Sequence, residues 1–183
     1  MVLLKNALTT KLKKSKKTKE AKGDPYLIFE LGKRAYAVPL DTVYRFEERT
    51  SIAKVPSSLE FFQGVVTYLD DFVGVLNLKK ALKIDKGADS GDVLILFKNQ
   101  STFLAAVVDD IKDIRYIPNG SIKKEVPIET ENNEIFHGFS RIGKEIVTHL
   151  DIKSWIGRPD ISKILKVISE HINTYKKNND KIA

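Results

Sequence analysis

The residues able to do chemistry are few in this 183-residue chain, and their spacing argues against catalysis. There is no cysteine, which removes disulfides, thiolate metal sites and cysteine nucleophiles together. The only histidines are His137, His149 and His171, and no pair of them has a spacing that supplies two ligands to one metal. Asp109-Asp110 offers paired carboxylates, but it follows an apolar strand-like run, where a turn with a capping carboxylate is the simpler role. Asp70-Asp71 lies between two such runs and reads as a tight turn. No glycine-rich phosphate loop or nucleophile elbow is present. Tyr68 and Trp155 read as packing residues. The inventory implies no catalytic residues, no metal and no cofactor.

Charge is the other chemistry on offer. The formal net charge is +7, yet residues 1–25 carry eight lysines against Glu20 and Asp24, so +6 lies in that stretch and only +1 in the rest. KLKKSKKTKEAKGDP reads as a solvated, disordered arm ended by a Gly-Asp-Pro turn. An anionic membrane surface or nucleic acid would attract such an arm. No aromatic residue interleaves its lysines, which favours a solubilising tail and no specific nucleic-acid partner. No apolar run approaches the roughly 20 residues that span a bilayer, and VLLKNAL is too short and too polar for a signal peptide. The composition fits an intracellular protein.

Any functional residue must be positioned by a repeated β unit. FQGVVTYLDDFVGVLNLKKAL (62–82) recurs without a gap as FHGFSRIGKEIVTHLDIKSWI (136–156), laying Phe62 on Phe136, Gly64 on Gly138 and Lys79 on Lys153. LIFELGKRAYAVPLDTVYRF (27–46) pairs likewise with ILFKNQSTFLAAVVDDIKDI (95–114), with Val43 on Ile111 and Phe46 on Ile114. Two matches in the same order argue for duplication.

In chain order, Tyr26 to Leu31 and Ala35 to Leu40 form a hairpin around Gly32-Lys33-Arg34. Asp41 is expected to cap a short helical turn carrying Val43 and Phe46 inward. Gly64 marks a bend or a close backbone approach. Phe72 to Leu78, Asp92 to Phe97 and Thr102 to Val108 are further strands. A helix capped by Asp160 carries Ile161, Ile164, Leu165, Ile168 and Ile172 as one stripe. The fold is therefore mainly β. About ten strands close into two five-stranded barrels, roughly 25–86 and 91–157, with a basic tail (1–24) before them and a C-terminal helix with a frayed end (158–183) after.

FELGKRAYAVPLDTV, the FFQGVV and FVGVLNLKK block, and LAAVVDDIKDI together resemble the CheW-like family of chemotaxis coupling proteins, over roughly Tyr26 to Gly157. The resemblance implies SH3-like barrels and a non-catalytic adaptor. Such an adaptor joins the cytoplasmic tip of methyl-accepting chemoreceptors to the regulatory domain of the histidine kinase CheA. It implies a cytoplasmic protein recruited to receptor arrays at the inner face of the membrane, touching the membrane only through receptors. Receptor contacts would fall in a groove between the barrels, on Val43, Arg45, Phe46, Val66, Leu69, Asp70, Val108 and Ile111. Kinase contacts would fall near Gly64 and Tyr68.

The chain departs from the family pattern in two places. Arg45 stands where the family usually carries Glu, and Leu69-Asp70 where it usually carries Arg-Gly. A reversed ion pair between Arg45 and Asp70 or Asp71 is one reading, and two solvated turn residues the other. Either way, the exchange points to a specialised paralogue. Two other functions stay open. One is a small-barrel nucleic-acid-binding protein using the lysine tail, disfavoured because Phe29, Phe72, Phe97 and Phe103 sit in apolar strands and should be buried. The other is an adaptor of a non-flagellar chemosensory-type pathway, such as surface motility.

Overall fold

The computed structural model describes residues 23–55, 60–68, 71–84, 91–99, 102–124, 135–167 and 170. The basic tail, the Leu69-Asp70 turn, His171 and the C-terminal stripe residues Ile168 and Ile172 lie outside them. The strands are β1 (Asp24–Leu31), β2 (Arg34–Pro39), β3 (Val43–Glu48), β4 (Phe62–Tyr68), β5 (Asp71–Asn77), β6 (Val93–Asn99), β7 (Thr102–Val108), β8 (Asp110–Ile117), β9 (Phe136–Ile142) and β10 (Glu145–Leu150). They form two five-stranded sheets, ordered β8-β1-β2-β10-β9 and β3-β6-β7-β5-β4. Exchanging each strand for its counterpart in the other half of the sequence converts one order into the other, so the duplication is present in three dimensions.

The sheets do not divide the chain where the repeat does, which corrects the expected boundaries of 25–86 and 91–157. One sheet is continuous in sequence, β3 through β7; the other takes β1 and β2 from one end and β8 to β10 from the other. The reason is pairing: β3 leaves its own hairpin to pair with β6, and β8 returns to pair with β1. An inserted barrel thus sits within a split barrel. The chain crosses between them twice, at the 3-10 turn Leu40–Thr42 and at Asp109.

Alternation along the strands builds three cores. Leu27, Phe29 and Leu31 of β1 meet Val93, Ile95 and Phe97 of β6 in a seam between the barrels. Leu94 and Leu96, pointing the other way, fill the inserted barrel with Val66, Val73 and Val75. Tyr26 and Ile28 fill the split barrel with Ala35, Ala37 and Val147. Among the described residues, one bridge closes each barrel: Ala53 with Val65, and Lys123 with Phe139.

That bridge explains Gly64, as its expected close approach requires. Gly64 and Gly138 follow a bulge in β4 and β9 and hold φ of +143° and +152°. A Cβ would lie 2.2 Å from the Ala53 carbonyl oxygen at Gly64 and 2.4 Å from that of Lys123 at Gly138. Only glycine fits either site.

Each repeat ends in one helical turn, α1 (Leu78–Ala81) and α2 (Ile152–Ile156), capped at the same place: Asn77 accepts from the Lys80 amide and Asp151 from the Ser154 amide, both at 3.0 Å. Two other caps differ from expectation. Asp41 caps nothing; the Thr42 hydroxyl donates to the Pro39 carbonyl, and Val43 to Phe46 continue as strand β3. A bulge between Val43 and Arg45 turns Val43 and Phe46 to the same face, which mimics a helical spacing. The C-terminal helix, α3 (159–167), opens at Pro159, so Asp160 lies inside its first turn; there its Oδ1 still accepts from the Ile161 amide (3.0 Å), while both carboxylate oxygens bind Arg158 (3.0 and 2.8 Å). Its Ile161 is buried and Ile164 and Leu165 pack on the seam.

Candidate functional site

The residues expected to contact a receptor separate into groups. Val43 and Phe46 on β3, Val108 at the end of β7 and Ile111 on β8 all join the seam core. Val108 and Ile111 are buried, whereas Val43 and Phe46 are half-buried and form its accessible rim together with Leu40 and Ile114. Val66 points instead into the inserted barrel and is buried there. Leu69 and Asp70 lie outside the described residues, so the proposed Arg45–Asp70 pair does too; Arg45 forms its ion pair with Glu47. Gly64 is buried at the bulge and shapes β4.

Arg45 and Tyr68, assigned by resemblance to different partners, come together at one mouth of the inserted barrel. Arg45 pairs across β6 with Leu96, Tyr68 across β5 with Asp71, and Lys98 across β7 with Phe103. This register carries the interior row of the barrel out to its open end. There the Tyr44, Tyr68 and Phe103 rings meet edge-on or tilted, with centroids 5.2 to 6.2 Å apart. The Arg45 guanidinium lies 5.2 Å from the Tyr68 ring, and the Lys98 ammonium 5.8 and 5.5 Å from those of Tyr44 and Phe103. A hydrogen bond from Arg45 holds the Tyr68 phenol below its ordinary pKa, and the Tyr68 neighbour holds that of Tyr44 above. Tyr44, Lys98 and Phe103 were not among the expected site residues; their only signal is the cross-strand register.

Of the four aromatics expected in the core, Phe29 and Phe97 are buried, but Phe103 is half-exposed and Phe72 is 40% exposed. Phe72 faces outward beside Thr67, at the hairpin end of the inserted barrel. Its counterpart in the split barrel, Ile146, is 62% exposed. Trp155 packs in the seam, 5.4 Å from Phe61.

The catalytic inventory assembles nothing reactive among the described residues. No three His, Cys, Asp or Glu side chains converge as a metal site. The Asp109 carboxylate takes the buried Lys79 ammonium and the Gly32 amide (2.7 Å), and Asp41 takes Lys153 (2.8 Å) at the equivalent place. Among the described residues the one Ser–His contact, Ser140 Oγ to His149 Nε2 at 2.8 Å, is buried inside the split barrel. His149 Nδ1 has no hydrogen-bond partner, and burial lowers its pKa to about 4.

The CheW-like domain family model matches residues 25–159. The chain is 21% identical over 159 residues to chemotaxis protein CheW of Klebsiella aerogenes, covering 86% of this chain and 96% of that one. Its fold is similar to the crystal structure of the scaffolding protein TtCheW from Thermoanaerobacter tengcongensis, with a TM-score of 0.66 at 20% identity, covering 73% of this chain and 88% of that one.

Proposed function

The chain belongs to the CheW-like family of chemotaxis scaffold proteins, and from that premise we propose that it couples chemoreceptor tips to the regulatory domain of the histidine kinase CheA, without chemistry of its own. One observation carries the reading. An adaptor must hold two partners at once, and duplication gives this chain two equivalent barrel ends with different exposed apolar residues, Phe72 and Ile146. The rim of the seam, with Val43 and Phe46, suits a third contact: an apolar stripe on a receptor helix spaced at i, i+3 and i+7. In this reading the kinase domain docks on the inserted barrel at the Tyr68 and Phe72 end, and Gly64 serves it by holding β4 in place. The protein then works in the cytoplasm, recruited to the membrane only through receptors; among the described residues no helix is long and apolar enough to cross a bilayer.

The test is calorimetric titration of the full chain against the cognate CheA regulatory domain and, separately, a soluble receptor-tip hairpin. Micromolar binding of the kinase domain, weakened by Phe72→Asp but not by Phe46→Asp, is expected, with the converse for the hairpin. Failure of the folded wild-type chain to bind either partner would refute the coupling role.

A further inference from the structure

Strand β5 lays one row of residues along the outside of the inserted barrel. Val73 and Val75 point inward, so Phe72, Gly74 and Leu76 point out. Leu76 joins the seam and Gly74 lies beneath Leu165 of α3, whereas Phe72 is exposed. Two contacts set the direction of α3 along this row. The Trp155 ring, just before the helix, lies 5.4 Å from that of Phe61, whose carbonyl accepts from the Asn77 amide (2.8 Å) at the end of β5. Further along the chain, Leu165 reaches Gly74, where a Cβ would lie 2.8 Å from Leu165 Cδ2. The helix thus runs from the end of β5 toward its start, and Phe72 is the next outward residue on that line.

The seat belongs to this barrel alone. In the split barrel Thr148 stands where Gly74 does, and a branched side chain there would occupy the space that Leu165 takes. The apolar stripe of the helix also outlasts the seat. Ile161 is buried and Ile164 and Leu165 are half-buried, whereas Ser162, Lys163, Lys166 and Val167 are exposed. Lys166 and Glu170 pair at 3.9 Å with i, i+4 spacing on the exposed face, which carries the helix past Val167. On that helix, positions 168 and 172 share the face of Ile161, and both are isoleucine. Helical rise puts them about 4.5 and 10.5 Å beyond Leu165, and Phe72 lies about 7 Å beyond Gly74 along the strand. The two isoleucines bracket the ring.

We propose that the segment from Ile168 to Ile172 lies over Phe72 as an intramolecular strap, and that a partner docking on Phe72 must first lift it. Laid there, the two isoleucines and the ring leave water together. The strap shares Phe72 with the partner, so the fraction of molecules in which it is open scales the partner's apparent affinity. The intramolecular contact is independent of the adaptor reading; its effect on the kinase domain rests on that reading. Gly74 then has a use beyond packing, because it lets the helix lie low enough to point its next turn at Phe72.

The contact is tested by methyl NMR on the full wild-type chain. Cross-relaxation from the Ile168 and Ile172 methyl protons to the Phe72 ring is expected, with none to the equivalent Ile146. Its absence at Phe72 would overturn the proposal. So would its appearance only between labelled and unlabelled molecules in a mixed sample, which would assign the stripe to a second copy. The gating is tested by titrating the kinase regulatory domain into wild type and into the double variant Ile168→Ala, Ile172→Ala, which adds no charge and keeps a helix-forming residue at both places. The variant is expected to bind about fivefold tighter, with unchanged amide exchange at residues 161–165 as the control that α3 stays seated. Equal affinity would mean that the segment does not guard Phe72, and the strap would be refuted while the adaptor reading stands. If neither chain binds the kinase domain, the adaptor reading falls, and the methyl contacts still decide whether the segment covers Phe72.

Discussion

A methyl group added at Gly64 meets the Ala53 carbonyl oxygen at 2.2 Å in a backbone held at φ +143°, so neither the side chain nor the strand has room to yield. Gly64→Ala and Gly138→Ala should each cost about 2–4 kcal/mol, read from urea midpoints. Gly120→Ala, with nothing within 4 Å, should change stability by less than about 0.5 kcal/mol. A kinase-binding loss in Gly64→Ala would then follow from β4 and not from a lost contact. His149 makes a pH prediction. Its folded pKa is depressed to about 4 from 6.5, so the unfolded chain takes up the proton first as pH falls. The stability it confers is complete above 6.5 and declines toward pH 4, by about 3 kcal/mol in all. In the inserted barrel, Val66 and Val75 occupy the positions of Ser140 and His149. The double variant Ser140→Val, His149→Val should therefore lose that slope between pH 7 and 4.5, measured as its midpoint difference from wild type.

Between elements, the repeated ion pairs differ in burial. The Lys79 side chain is 8% exposed and that of Lys153 is 50% exposed, yet each joins a one-turn helix to an aspartate from the other copy of the repeat. Lys79→Met should cost about 2–3 kcal/mol by stranding Asp109 beside the seam, and Lys153→Met less than about 1 kcal/mol, in the same denaturation assay. Helix α3 depends on an absent side chain: a Cβ at Gly74 would lie 2.8 Å from Leu165 Cδ2 and 3.0 Å from the Phe62 ring. Gly74→Val should release α3, seen as faster amide exchange at residues 161–165, while the barrels persist. Strand number, the repeat and the glycine bulges were legible because hydrophobic alternation and a recurring Gly mark them locally. The turn after Asp41 was not, since a bulged strand and a helix both bring positions 43 and 46 to one face. Nor was the mouth cluster: Tyr44, Tyr68, Lys98 and Phe103 sit on four strands, and only the pairing register unites them. Arg45 and Tyr68 stood out singly, without any sign that they touch.

At the scale of the whole molecule, the exchange of β3 and β8 between the copies makes each repeat incomplete by itself. Fragments 23–84 and 91–157 should be unfolded alone and regain the native circular dichroism spectrum when mixed, because each sheet needs strands from both. The continuous stretch 43–108 contains every strand of the inserted barrel and should keep partial β structure, at the price of an exposed seam face. The two crossings, at Leu40–Thr42 and at Asp109, also bear on mechanics. Two bodies joined by one strand can swivel about it; two bodies joined by two short strands and a packed seam cannot. A torque applied to one barrel by one partner must arrive at the other barrel almost undiminished. Such a molecule behaves as a strut rather than a hinge, and an array assembled from it would inherit that stiffness.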